Sequence, residues 1–375
     1  MATATISARQ SPALAWTGDR LFVYGGSPYP TAPIDETHLP GERTDAAVWD
    51  PTTRRFLPAA DPPFDLPLNS SYTWAIASGG QVVVVGTSCS PDSLRDPEDS
   101  SNYCEPGTYA AATYDLGSDE WDTIDVPEQL ANLVNGYAEP VGTTSDGRVV
   151  GLLGPSDNRE IWTFDVATRT WAQLPSPGMR VRTTCLAGDT VVVVDGELTQ
   201  VDGPSPPPLE EGEGDGSADG PGGLSLRLYD LAADEAAWTS TPAFDPVDHE
   251  GRLYPAIACG DDFALVHNGT AQDAHAHSTT AAGASDEWIE APPQPFDGAF
   301  SLDLGRGDEI VFAESTSGTL PERAVVYEYV TNQWREIEPI FVPTMAGVLA
   351  GDAITGWPAG ADLPPTAPFF SRIAG

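Results

Sequence analysis

At 375 residues the chain has length for one large domain or two ordinary ones, and its 40% hydrophobic and 9% aromatic content is that of a folded protein. All its basic charge is arginine: 17 arginines and no lysine stand against 56 acidic residues, for a formal net charge of −39. Such a surface repels phosphate backbones and anionic lipid, so no nucleic-acid partner is expected, and the missing amine excludes Schiff-base chemistry and a P-loop NTPase.

The absence of lysine fits a salt-adapted or GC-rich source better than a dedicated cation site. No run of eighteen apolar residues occurs, so no membrane insertion is expected. The opening residues, Met1 to Ile6, lack the basic and apolar regions of a signal peptide. The chain is therefore read either as cytoplasmic or as exported with its signal already removed. Its 37 glycines and 36 prolines are spread throughout, which favours short strands and turns over long helices.

Taken in chain order, one phrase recurs: an apolar strand, a Gly/Asp turn, then a Val-rich strand. It occupies 13–26, 75–86, 139–154, 184–196, 256–269, 301–314 and 347–357, which makes seven copies. A second phrase, a strand ending in an acidic turn and then an aromatic strand, follows most copies at 46–60, 111–127, 160–177, 226–242 and 324–339. The closing aromatics Phe56, Trp121, Trp171, Trp238, Trp288 and Trp334 are spaced by 65, 50, 67, 50 and 46 residues. In the stretch 252–292 the third-strand phrase is missing.

Gly25-Gly26, Tyr114-Asp115 with Trp121, and Tyr229-Asp230 with Trp238 resemble the kelch-repeat β-propeller family, known from the central domain of galactose oxidase. The likeness spans nearly the whole chain, although one copy alone keeps the paired glycine. It implies an all-β fold: a single kelch-type β-propeller over 1–375 with seven blades, six being the runner-up. Residues 2–8, a β-prone stretch, are expected to pair with the C-terminal blade and close the ring. The motif is a scaffold signature and carries no activity. The copper-binding set of galactose oxidase cannot be placed here, and no cofactor is expected.

Long insertions at 27–44, 87–107, 197–222 and 267–283 are expected on one face, called the top. The insertion 197–222 is acidic and of low complexity, and reads as a mobile loop. Cys89 and Cys104 share one polar insertion and read as a disulfide, which implies an oxidising, extracellular or cell-surface location. Cys185 and Cys259 fall on equivalent inner strands and read as small core residues, with their pairing left open. His267, His275 and His277 have the residue types of a transition-metal site, but no spacing supports it, so a solvated loop is the simpler reading and no metal is assigned.

Residues that begin the innermost strands should face the mouth of a central channel. Alignment on the Gly/Asp turns puts Arg9, Tyr72, Tyr137, Glu139, Arg182, Arg252 and Tyr254 there. Arginines and tyrosines could hold an anionic or sugar-like ligand, and Glu139 is the candidate base. The same residues could equally serve inter-blade hydrogen bonding. Two functions follow: a monomeric module whose top face binds a protein or carbohydrate ligand, or an enzyme performing acid–base chemistry on a small polar substrate such as a sugar acid.

Overall fold

The computed structural model describes residues 9–28, 43–89, 106–133, 136–155, 158–195, 223–233, 235–244, 256–267, 274–279, 287–293, 295, 300–314, 322–340, 347–350, 353–356 and 369–372. Six four-stranded antiparallel sheets follow one another, each made of strands consecutive along the chain. The first comprises Ala13–Trp16, Leu21–Tyr24, Ala46–Asp50 and Arg55–Pro58. The second comprises Leu68–Ser78, Gln81–Cys89, Pro106–Asp115 and Glu120–Ile124. The third is Gly136–Thr143, Arg148–Pro155, Glu160–Asp165 and Thr170–Gln173. The fourth is Thr184–Ala187, Thr190–Asp195, Ser225–Asp230 and Thr239–Ser240.

Ala256–Cys259, Phe263–His267, Ala274–Ser278 and Ile289–Glu290 form the fifth sheet. Phe300–Arg306, Glu309–Glu314, Glu322–Glu328 and Gln333–Ile340 form the sixth. A three-stranded sheet of Gly347–Ala350, Ala353–Gly356 and Phe369–Arg372 comes last. Among the described residues the single α-helix is one turn, Glu128–Ala131. The architecture is all-β and consistent with a β-propeller.

The chain divides into two compact units, one of 1–176 with 315–324 and 337–375, the other of 177–314 with 325–336. Within each, successive sheets set their first strands side by side. In the first unit Ala13–Trp16 lies between Gly347–Ala350 and Leu68–Ser78, which in turn neighbours Gly136–Thr143. In the second, Thr184–Ala187 neighbours Ala256–Cys259, and that strand neighbours Phe300–Arg306. Each second strand is then buried on both faces, which is why these strands read as unbroken Val-rich runs instead of alternating ones. Val82 to Val85, Val191 to Val194 and Phe263 to Val266 are all buried. Separate apolar clusters fill the spaces between the first and second, second and third, fourth and fifth, and fifth and sixth sheets.

The acidic turn between third and fourth strands has a local cause. Asp115 Oδ1 accepts the backbone N–H groups of Gly117 and Ser118, both at 2.8 Å. Asp50 and Asp165 do the same for the residues two and three places on. Those bonds favour the charged form, so the N–H groups of Ser118 and then Gly117 hold the Asp115 carboxyl below the usual carboxylate range. Four residues after each acid the chain turns through positive φ, at Arg54, Asp119, Arg169 and Asn332. Asp and Asn suit that conformation.

Three of the closing tryptophans pin their sheets to the segment leaving the one before. Trp121 Nε1 donates to Ala60 O at 2.8 Å, Trp288 Nε1 to Pro242 O at 2.7 Å and Trp334 Nε1 to Pro292 O at 2.6 Å. Asp119 and Asn332 reinforce the same junctions, through Ala60 N and Glu290 O. The indole ring fills the gap and its N–H finds a carbonyl there, which accounts for tryptophan at this position.

One expectation requires correction, and one open question is answered. The stretch 267–283 is not one insertion: Ala274–Ser278 is a strand, and it supplies the third strand that the motif search missed. Its Ala-His-Ala-His-Ser sequence has no aromatic–Asp signal, because Ser278 stands opposite Phe263, where the other sheets set Tyr114, Phe164 or Tyr229 opposite the start of the second strand. Cys185 and Cys259 do lie in the apolar cluster between the fourth and fifth sheets, and they pair: a disulfide joins the first strands of these neighbouring sheets. At the N-terminus, Arg9–Gln10 pairs with Ser27–Pro28. Residues 2–8 and the whole insertion 197–222 lie outside the described residues.

Candidate functional site

The strand order fixes two ends for each sheet. First strands start where second strands finish, and the links to the third strands leave from that same end. In the second sheet this end carries Tyr72, just upstream of a register shift between Leu68 and Thr73. The bulge is held by Asn69, whose side chain accepts Ser71 N–H at 2.9 Å and whose carbonyl accepts the Thr73 hydroxyl at 2.6 Å. A bulge of this kind re-aims the side chain that follows it. In the third sheet, Tyr137 and Glu139 occupy the matching start of Gly136–Thr143, opposite Gly154 and Leu152.

These residues come together. The rings of Tyr72 and Tyr137 meet edge to face with centroids 4.5 Å apart. Arg159, in the link before Glu160–Asp165, holds its guanidinium carbon 5.5 Å from the Tyr137 ring centroid. Its Nη1 donates to Glu139 Oε1 at 2.8 Å, with the Arg159 side chain 19% exposed and Glu139 52% exposed. Burial, and then hydrogen bonding to Tyr137, raise the Tyr72 hydroxyl above its ordinary pKa, while the Arg159 charge pulls the other way.

Beneath the cluster lies Tyr109. Its hydroxyl donates to Tyr137 O at 2.5 Å and accepts Gly154 N–H at 2.8 Å, bridging the ends of two paired strands. A side chain at Gly136 would collide with this ring, since a Cβ there would sit 2.4 Å from Tyr109 Cε2. Gly154, at φ +134°, turns the chain toward Arg159 in a conformation that other residues rarely adopt. Burial pushes the Tyr109 hydroxyl up to about 12, against the opposing effects of its backbone hydrogen bond and of Arg159. The sequence reading missed Tyr109 and Arg159. Arg159 had a signal, a lone cation in a short link beside a predicted mouth strand, whereas Tyr109 sits in a third strand that alignment of first strands does not sample.

Arg9 is fully buried, donating to Gly25 O at 2.8 Å and pairing with Asp45 Oδ2 at 2.6 Å, so its guanidinium serves the first sheet from within and is not displayed to a ligand. Arg182 is exposed, two residues before Thr184–Ala187, in the other unit. Arg252 and Tyr254 lie outside the described residues.

Strand register rules out the histidine trio as one site. His275 pairs with Val266 and His277 with Ala264, whereas His267 pairs with Ala274. Opposed residues share a face and neighbours alternate, so His267 lies on the opposite face from the other two. Nor is this a solvated loop: His267 and His277 are 5% and 4% exposed, packed against Phe312 and Trp288 respectively. Among the described residues no group of three His, Cys, Asp or Glu side chains is placed to hold a metal ion. Cys89 is disulfide-bonded. Its expected partner, Cys104, lies outside the described residues.

No family model matches the chain, and no curated protein matches it. Among solved structures it is similar to tricorn protease, with a TM-score of 0.50 and 12% identity over 100% of this chain and 36% of that one. It is also similar to YjhT, with a TM-score of 0.49 and 10% identity over 90% of this chain and 99% of that one. Tricorn protease is a propeller protein, and the likeness supports a propeller-type fold; at that identity it says nothing of activity.

Proposed function

We propose that the chain is a seven-bladed kelch-type propeller that binds a carbohydrate ligand at the Tyr72, Tyr137, Glu139 and Arg159 end of its second and third sheets. The observation that carries this reading is the meeting of two tyrosine rings with an arginine–carboxylate pair at equivalent ends of adjacent first strands. Aromatic faces stack on the C–H surfaces of a sugar, and a fixed pair of donors and acceptors reads its hydroxyls. Glu139 Oε1 is engaged by Arg159, which favours binding over proton abstraction by that carboxylate.

The seventh blade is the sheet that begins with Gly347–Ala350. Its first strand neighbours Ala13–Trp16 within one unit, as adjacent blades of a ring would. The Cys185–Cys259 disulfide supports an oxidising, extracellular location.

An array of immobilised oligosaccharides, probed with the wild type and with the Tyr72→Ala/Tyr137→Ala double variant, tests the reading. Saturable binding by the wild type, lost in the variant at unchanged Tm, is the expected result. Equal binding by both proteins would place the ligand elsewhere.

A further inference from the structure

The charge of the cluster selects among sugars. Arg159 is its cation, and its field is felt at both the Tyr72 and Tyr109 hydroxyls. Glu139 neutralises that cation at 2.8 Å while remaining half exposed itself. From this arrangement we infer that Glu139 is a specificity residue: it masks Arg159, so that the site takes an uncharged, polyhydroxylated ligand and refuses a sugar carboxylate. The inference rests on the carbohydrate reading above and deepens it.

The physical case runs through exchange. A ligand carboxylate would have to displace Glu139 from Arg159, trading one arginine–carboxylate bond for another of the same kind. The displaced Glu139 would remain beside the incoming charge on a chain whose formal net charge is already −39. Both effects oppose an acidic sugar. A neutral sugar displaces nothing: a guanidinium carries five N–H donors, of which Glu139 Oε1 takes one from Nη1, and the second carboxylate oxygen can accept a ligand hydroxyl. The tyrosine hydroxyls can add further hydrogen bonds to such a ligand.

Calorimetric titration separates the possibilities. The probes are neutral gluco-, manno-, galacto- and xylo-oligosaccharides and the matching oligogalacturonate, each titrated into wild type, Glu139→Gln and Glu139→Gln/Arg159→Gln. The wild type is expected to bind a neutral oligosaccharide and to bind the uronate at least about tenfold more weakly. Glu139→Gln unmasks the guanidinium and should gain about tenfold or more for the uronate, a gain that the double variant abolishes. Wild-type preference for the uronate, or no gain in Glu139→Gln, overturns the masking role and leaves the carbohydrate reading standing. No binding of any sugar by any of the three proteins overturns the carbohydrate reading and the masking role together.

Discussion

The second sheet runs strands of 11, 9, 10 and 5 residues, whereas the fifth has strands of 4, 5, 5 and 2. Both are built from the same phrase, and both bury their second strand, all but Gln81 at the start of Gln81–Cys89. They differ in what lies beyond that common core. The second and third sheets extend at the end where first strands begin, and the extra residues carry Tyr72, Tyr137 and Glu139. Among the described residues the fourth and fifth sheets show no such extension, and their first strands are joined by Cys185–Cys259. The long pair stabilises itself through ladder and packing and has residues left over to display. In the short pair, where the fourth strand of each sheet contributes two residues, a covalent link compensates for missing ladder.

The largest effect should come from removing that link. Replacing both cysteines by serine frees a 74-residue separation in the unfolded chain, worth about 4 kcal/mol in the chain-entropy model. Hydrogen exchange should then lose protection at Val191 to Val194 and Phe263 to Val266 before Val82 to Val85. Equal loss across all three would mean that the two regions do not differ in what holds them. Next come the closing indoles. Trp121 packs against Phe22, Tyr24, Phe64 and Tyr114, whereas Trp288 meets Phe244 and His277. Urea denaturation should therefore charge about 3 kcal/mol for Trp121→Ala and about 2 kcal/mol for Trp288→Ala.

A smaller effect concerns the strand ends themselves. Tyr109→Phe removes the hydroxyl bridging Tyr137 O and Gly154 N, at about 1–2 kcal/mol. It also changes the alkaline limb. The folded hydroxyl is pushed up to about 12 from an ordinary value of 10.0, so the folded state holds this proton more tightly than the unfolded chain. The resulting stability is fully present below pH 10.0 and lost as the pH rises through about 12. Tyr109→Phe should flatten that fall in part, because burial also raises Tyr114 and Tyr327. An unchanged alkaline slope in the variant would contradict the placement of this proton.

Much of this was legible beforehand, for reasons that the residues supply. Val-rich runs announce strands buried on both faces, and Asp115 with Trp121 announces a turn and the indole that closes it. Alignment of the first strands on their Gly/Asp turns put Tyr72, Tyr137 and Glu139 among the mouth candidates, and all three lie at the starts of neighbouring first strands. The same alignment misplaced Arg9, whose partners Asp45 and Gly25 O lie 36 and 16 residues away. It could not find Arg159 or Tyr109, which reach the site from a link and from a third strand. The Ala274–Ser278 strand was hidden because Ser278 stands opposite Phe263, where the repeat has an aromatic residue. The pairing of Cys185 with Cys259 depends on neighbouring first strands in space, which no spacing along the chain reports.

The central claim is that the Tyr72 end of the second sheet, and not its Asp115 end, meets the ligand. Fluorotyrosine NMR tests it directly, with resonances of Tyr72, Tyr137, Tyr114 and Tyr327 assigned by single Phe replacements and followed during titration with the neutral oligosaccharides. The account predicts saturable shifts at Tyr72 and Tyr137 while Tyr114 and Tyr327, in the closing turns, stay fixed. Shifts at Tyr114 or Tyr327 with none at Tyr72 and Tyr137 would contradict it.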